Sequence, residues 1–191
     1  GNLFSHVIGQ IDNSNNGISG LEKTFDYELR TSRNPLQLTL DTDLQYLIRE
    51  ELIKSESIFQ NVGSAAILMD INNGNILSMV SLPDFDLNKR KKINDLKFIN
   101  RATKGVYEFG SVFKTFALAA GLNYKIVETD TEFKDLEKSI TCGRNTISEY
   151  DDKIPANLTA EEILIRSGNI GSVRVAQKVG IDNYEKFLKI I

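Results

Sequence analysis

The chain is short of the residue types on which many enzymes and secreted folds depend. It has one cysteine, Cys142, so no disulfide can form within it. Its one histidine, His6, lies in a glycine-, asparagine- and serine-rich N-terminal stretch, and no Gly-x-Ser-x-Gly element is present. This argues against a Ser-His-Asp hydrolase, and one histidine with one cysteine cannot make a metal cluster. No apolar run approaches the roughly 18 residues needed to cross a bilayer. The net charge of −3 gives no electrostatic footprint for nucleic acid, and the only basic run, Lys89-Arg90-Lys91-Lys92, reads as a solvated loop. Initiator methionine and signal peptide are both missing, so the 191 residues are expected to be a piece of a longer protein. They suffice for one domain, or one domain plus an appendage.

What is present centres on Tyr107-Glu108-Phe109-Gly110-Ser111-Val112-Phe113-Lys114-Thr115-Phe116-Ala117. A glycine turn leads straight into an apolar helix, in which Phe113, Phe116, Ala117 and Ala120 recur at helical spacing and are expected to face a core. Ser111 and Lys114 then lie on one face, within side-chain reach. A serine is a weak nucleophile until a neighbour takes its proton. A lysine is such a base only when neutral, and burial among phenylalanines together with the positive end of the helix dipole favours neutrality. Among all serines of the chain only Ser111 is followed by lysine at the third position.

Along the chain, residues 1–35 read as a loose extension, with a turn at Gly17-Ile18-Ser19-Gly20 opening a short helix. Leu36, Leu38 and Leu40 alternate with polar residues and suggest a strand. Thr42-x-x-Gln45 has the form of a capping box, and Leu44, Leu47, Ile48 and Leu52 give an amphipathic helix over about residues 43–56. Residues 65–70 and 76–80 read as buried strands joined through the tight turn Asn73-Gly74, and residues 139–148 as a small hairpin around Gly143. Thr159-x-x-Glu162 is a second capping box. Ile170, Val173, Ala176 and Val179 form a helix ended by Gly180, and Asp182 caps a last helix. The fold class implied is α+β, with helices packed on an antiparallel sheet.

Between two of these helices stands Ser167-Gly168-Asn169. A turn held by two buried helices aims polar tips well. The hydroxyl can relay a proton, and the amide can contact a base lysine and grip a substrate carbonyl.

In this order and context the two motifs resemble the transpeptidase domain of class B penicillin-binding proteins, membrane-anchored D,D-transpeptidases that cross-link peptidoglycan. His6-Val7-Ile8-Gly9 and residues 17–22 look like the end of that family's non-catalytic pedestal, which divides the chain into 1–35 and a transpeptidase portion over 36–191. Residues 38–41 with Leu44-Gln45 look like the first strand and helix of its catalytic domain. Asp70, Gly74, Ser81-Leu82-Pro83 and Asn100-Arg101-Ala102 look like the segment before its nucleophile. The flavour is closest to the cell-division enzyme.

The resemblance implies Ser111 as the acylated nucleophile, Lys114 as its general base, Ser167 as proton relay, and Asn169 as a holder of Lys114 and of the substrate amide. The Ser111 N–H would form half of an oxyanion hole. The substrates implied are D-Ala-D-Ala stem peptides, with β-lactams trapping the same serine and no metal or organic cofactor. It also implies a membrane anchor outside this chain, a catalytic domain outside the cytoplasmic membrane, and a membrane glycosyltransferase among other division proteins as partners.

Two departures stand out. Phe109 replaces the proline many relatives carry, and the family's Lys-Thr-Gly or Lys-Ser-Gly element occurs nowhere. The expectation is therefore a C-terminally truncated domain, with an exposed sheet edge and little or no activity by itself. The rival readings are a serine β-lactamase or β-lactam sensor, and a non-catalytic scaffold of the cell-wall machinery.

Overall fold

The computed structural model describes residues 1–89 and 96–191, so the basic run beyond Lys89 lies outside the described residues. The chain divides into two units, Gly1–Val106 and Tyr107–Ile191.

The first unit holds helices α1 (Ser5–Ile8), α2 (Gly20–Thr24), α3 (Asp26–Thr31) and α4 (Thr42–Phe59), strands β1 (Ser64–Met69) and β2 (Ile76–Leu82), and helix α5 (Arg101–Lys104). β1 and β2 pair antiparallel from Ser64↔Leu82 inward, and α4 lies on β2. The hairpin is as the sequence indicates, but of its turn only Gly74 takes a positive φ, and the Asp70 carboxylate braces the loop through Asn72 and Asn73. β2 is buried as expected, but the expectation of a buried first strand is corrected: β1 is largely exposed, with Ile67 and Met69 open to solvent. β1 has no second strand partner among the described residues.

Other expectations are corrected as well. The cap of α4 is Asp41, whose carboxylate accepts from the Asp43 and Leu44 N–H groups; Thr42 is already helical. Gln45, taken for the far half of a capping box, is instead 1% exposed and fully hydrogen-bonded. Its nitrogen donates to the Leu3 and Met79 carbonyls, and its oxygen accepts from the Ser78 hydroxyl and the Met79 N–H. Leu47, placed on the apolar stripe, is 59% exposed. Residues 36–40 form no ladder; they run extended, tied to β2 by Thr39 Oγ1 donating to the Ile76 carbonyl and the Asp41 N–H to Leu77. His6 is a packed residue, edge-on to Phe85 and hydrogen-bonded to the Lys97 carbonyl, and its burial lowers its pKa.

The second unit carries helix α6 (Lys114–Asn123), strands β3 (Glu132–Phe133), β4 (Ser139–Cys142), β5 (Asn145–Ser148) and β6 (Leu158–Thr159), then helices α7 (Ala160–Ile165), α8 (Asn169–Val179) and α9 (Ile181–Leu188). The expected hairpin at Gly143 is the β4–β5 pair, and the Thr159–Glu162 capping box is present in both directions. α6 and α8 pack face to face over a core that includes Ala117, Val127, Ile163, Ile170 and Val175. Burying each large aliphatic side chain there contributes roughly 1.5–3 kcal/mol. α7 approaches α8 so closely that a Cβ on Gly171 would lie 2.6 Å from the Ile163 side chain. That contact fixes the angle of the connection carrying Ser167.

Candidate active site

Gly110 turns the chain with φ +56°, in the left-handed region where glycine is least strained. Residues Gly110–Phe113 follow as a 3₁₀ turn rather than the α-helical turn the spacing suggests, and α6 begins at Lys114. In 3₁₀ geometry positions i and i+3 eclipse, so Ser111 and Lys114 are stacked more directly than an α-helix would place them. The Lys114 N–H donates to the Ser111 carbonyl. Ser111 itself is exposed.

Lys114 meets the second motif. Its Nζ donates to the Ser167 carbonyl at 2.6 Å, to the Ser167 hydroxyl at 3.1 Å and to Asn169 Oδ1 at 2.6 Å, across 53 to 55 residues of sequence. Two of these partners can only accept. A neutral Lys114 would keep both of those bonds with its two hydrogens and turn its lone pair toward a hydroxyl. The third partner, the Ser167 hydroxyl, is able to donate as well as accept, as a relay must.

Backbone geometry accounts for Ser167. The Ser167 N–H donates to the Leu164 carbonyl and the Gly168 N–H to that of Ile163, closing α7 in a Schellman arrangement. The residue at the left-handed position of such a cap is usually glycine; here it is Ser167, with φ +51°. A non-glycine residue there carries strain of about 1 kcal/mol or more. The strain places a hydroxyl beside Lys114, which glycine could not supply.

Asn169, the first residue of α8, is held from both sides. Its Nδ2 donates to the Ser148 carbonyl at 2.7 Å, which leaves Oδ1 facing the ammonium. The Glu149 carboxylate accepts the first two N–H groups of α8, from Asn169 at 2.7 Å and Ile170 at 2.9 Å. Neither Ser148 nor Glu149 was singled out in the sequence. Only the hairpin ending beside them hinted at their place.

Burial lowers the pKa of Lys114, and the charge of Glu149 opposes that shift. The direction agrees with the sequence reading, but the cause is corrected. Phe113 is 42% exposed and Phe116 only half-buried, so the phenylalanines do not enclose the ammonium as the sequence suggests. A cleft of about 310 Å³ opens beside these groups, lined by Gly110, Phe113, Lys114, Ile147, Asn169 and Tyr184. The structure thus brings Lys114, Ser167 and Asn169 into direct contact, while among the described residues Ser111, exposed in the 3₁₀ turn before Lys114, is joined to it through the backbone alone.

A family model described as the penicillin binding protein transpeptidase domain matches residues 64–191. The chain is 33% identical over 184 residues to the probable peptidoglycan D,D-transpeptidase FtsI of Caulobacter vibrioides, a match covering 94% of this chain and 31% of that protein. It is 29% identical over 220 residues to the peptidoglycan D,D-transpeptidase FtsI of Buchnera aphidicola, covering 98% and 37% respectively. Crystal structures of penicillin binding protein 3 from Mycobacterium tuberculosis, in the apo form and complexed with ampicillin, superpose with a TM-score of 0.83 at 25% identity, over 98% of this chain and 44% of theirs. The chain spans about a third of the length of the curated relatives it matches.

Proposed function

The chain belongs to the penicillin-binding protein transpeptidase domain family, with that family's α+β fold, and from this premise we propose that it is the nucleophile-bearing part of a peptidoglycan D,D-transpeptidase. The observation that carries the reading is the Lys114 ammonium gripped by Ser167 and Asn169, from a motif more than 50 residues distant.

In this reading Ser111 Oγ attacks the carbonyl carbon of the penultimate D-Ala of a stem peptide, and Lys114 Nζ takes its proton. The C–N bond to the terminal D-Ala breaks, and the departing nitrogen receives a proton by way of the Ser167 hydroxyl. An ester on Ser111 remains. The amine of a neighbouring stem then attacks that ester, loses its proton to the same relay and forms the cross-link, while Ser111 regains its hydrogen. Asn169 holds Lys114 and the substrate amide, and the Ser111 N–H faces the developing oxyanion. A β-lactam follows the first half of this path and stays attached.

Residues 1–35 serve as the end of a pedestal and 36–191 as part of the catalytic domain. The work is done on the outer side of the cytoplasmic membrane during septal wall synthesis, beside a membrane glycosyltransferase. This placement is supported by the peptidoglycan-directed names of the relatives. Among the described residues no helix is long and apolar enough to cross a membrane.

Intact-mass spectrometry of the full-length protein with a penicillin tests the proposal. One equivalent of adduct, absent from Ser111→Ala, is the expected result. A full-length protein that gains no mass is a scaffold rather than a transpeptidase.

A further inference from the structure

Glu149 is used by none of the steps above, yet its carboxylate accepts the first two N–H groups of α8. It follows directly after β5, where its own N–H donates to the Lys138 carbonyl and anchors its backbone to the hairpin. Its carboxylate reaches across 20 residues of sequence to α8. The residue before that helix is Gly168, which has no side chain with which to cap it. Helix N-termini leave N–H groups without acceptors and carry partial positive charge, so a carboxylate accepting two of them is a strong cap. One of those two N–H groups belongs to Asn169.

Ser148 adds the other restraint. Its carbonyl takes the Asn169 side-chain nitrogen at 2.7 Å, so residues 148 and 149 fix both the backbone and the amide of one residue. The amide is left one orientation, with Oδ1 2.6 Å from Lys114. A charge-assisted cap supplied by an exposed loop alone would wander; here the hairpin hydrogen bonds make it rigid.

We propose that Glu149 is a positioning residue of the acylation site: by capping α8 it aims the Asn169 amide, and through that amide it holds Lys114 under Ser111. The inference rests on the transpeptidase reading above. It assigns Glu149 no contact with substrate. Its negative charge also opposes the effect of burial on Lys114, so removing it alters both the placement and the charge state of the base.

The test uses the full-length protein and the rate of acylation by a penicillin, with Ser111→Ala as the blank. Glu149→Gln keeps the shape but loses the charge and one acceptor. It is expected to slow acylation about ten- to a hundredfold, the range that follows from misplacing a catalytic group by about 1 Å. Ser111 should still be labelled to one equivalent at long times. Glu149→Asp, which retains two acceptor oxygens, is expected to recover part of the rate. In an Asn169→Ala background Glu149→Gln should cause no further loss of rate, because the positioning passes through the Asn169 amide and the lost charge only lets burial lower the Lys114 pKa further.

Loss of the cap lowers the melting temperature in either case; a purely structural role instead predicts losses that add to those of Asn169→Ala. Wild-type rates in Glu149→Gln, or additive losses, overturn the proposal. A wild-type protein that is never acylated overturns the transpeptidase reading, and this proposal falls with it. Wild-type acylation with an indifferent Glu149 overturns this proposal alone.

Discussion

Lys114 Nζ and Asn169 Oδ1 stand 2.6 Å apart although 55 residues separate them in the sequence. The pair joins the first turn of α6 to the first turn of α8. Both helices bury apolar faces in the same core, so packing energy holds the two ends at hydrogen-bonding distance. Asn169 cannot turn away without losing the Ser148 carbonyl.

The first prediction concerns the lysine. Lys114→Arg keeps a cation but cannot be deprotonated near neutral pH, and Lys114→Met keeps length without a base. Both are expected to reduce the rate of acylation by a penicillin about 10²–10⁴-fold in the full-length protein. Stopped-flow or quenched mass measurements will resolve it. An arginine variant acylated at the wild-type rate would remove Lys114 from the role of base.

A second concerns pH. Lys114 accepts a proton only when neutral, and burial holds its pKa below the ordinary lysine value, against the opposing charge of Glu149. Tyr184 from α9 lines the same cleft. Acylation should therefore rise with pH along a limb centred below the ordinary lysine range, and fall as pH drops through it. The limb should vanish in Lys114→Met. A rate that climbs steadily through the usual lysine pKa of about 10.4 would contradict this.

Ser167 offers a test in which stability and activity part company. Its φ of +51° favours glycine over any side chain. Ser167→Gly and Ser167→Ala both remove the hydroxyl and should slow acylation. Ser167→Gly should nevertheless be the more stable of the two by about 1 kcal/mol in urea denaturation, the reverse of their order in a helix interior. Equal stability would mean that the left-handed turn carries no strain.

Gln45 supplies a prediction away from the site. Gln45→Leu preserves bulk but strips the Met79 N–H and the Ser78 hydroxyl of their acceptor inside the first unit. Unpaired buried groups of this kind cost about 1–3 kcal/mol. A Glu137→Gln change, which breaks only the exposed ion pair with Arg174, should cost less than about 1 kcal/mol. Thermal melts of the two variants side by side will rank them.

The sequence by itself determined what depends on neighbours along the chain. The Ser111–Lys114 spacing, the Thr159–Glu162 cap, the turns at Gly74 and Gly143 and the end of α8 at Gly180 follow from backbone geometry repeating every few residues. The α+β class was readable for the same reason, whereas Ser111, Lys114, Ser167 and Asn169 were singled out by the resemblance that their motifs carry in this order. What only the tertiary structure decided lies between distant segments: the three bonds of Lys114, the Glu149 cap on α8, and the buried Gln45 that had passed for a capping residue. It also decided that Leu47 and Phe113 face solvent and that residues 36–40 make no strand. Local pattern says which faces are apolar, but which face finds a partner, and which polar group then meets which, is settled when helices and hairpins pack and each buried donor must find an acceptor.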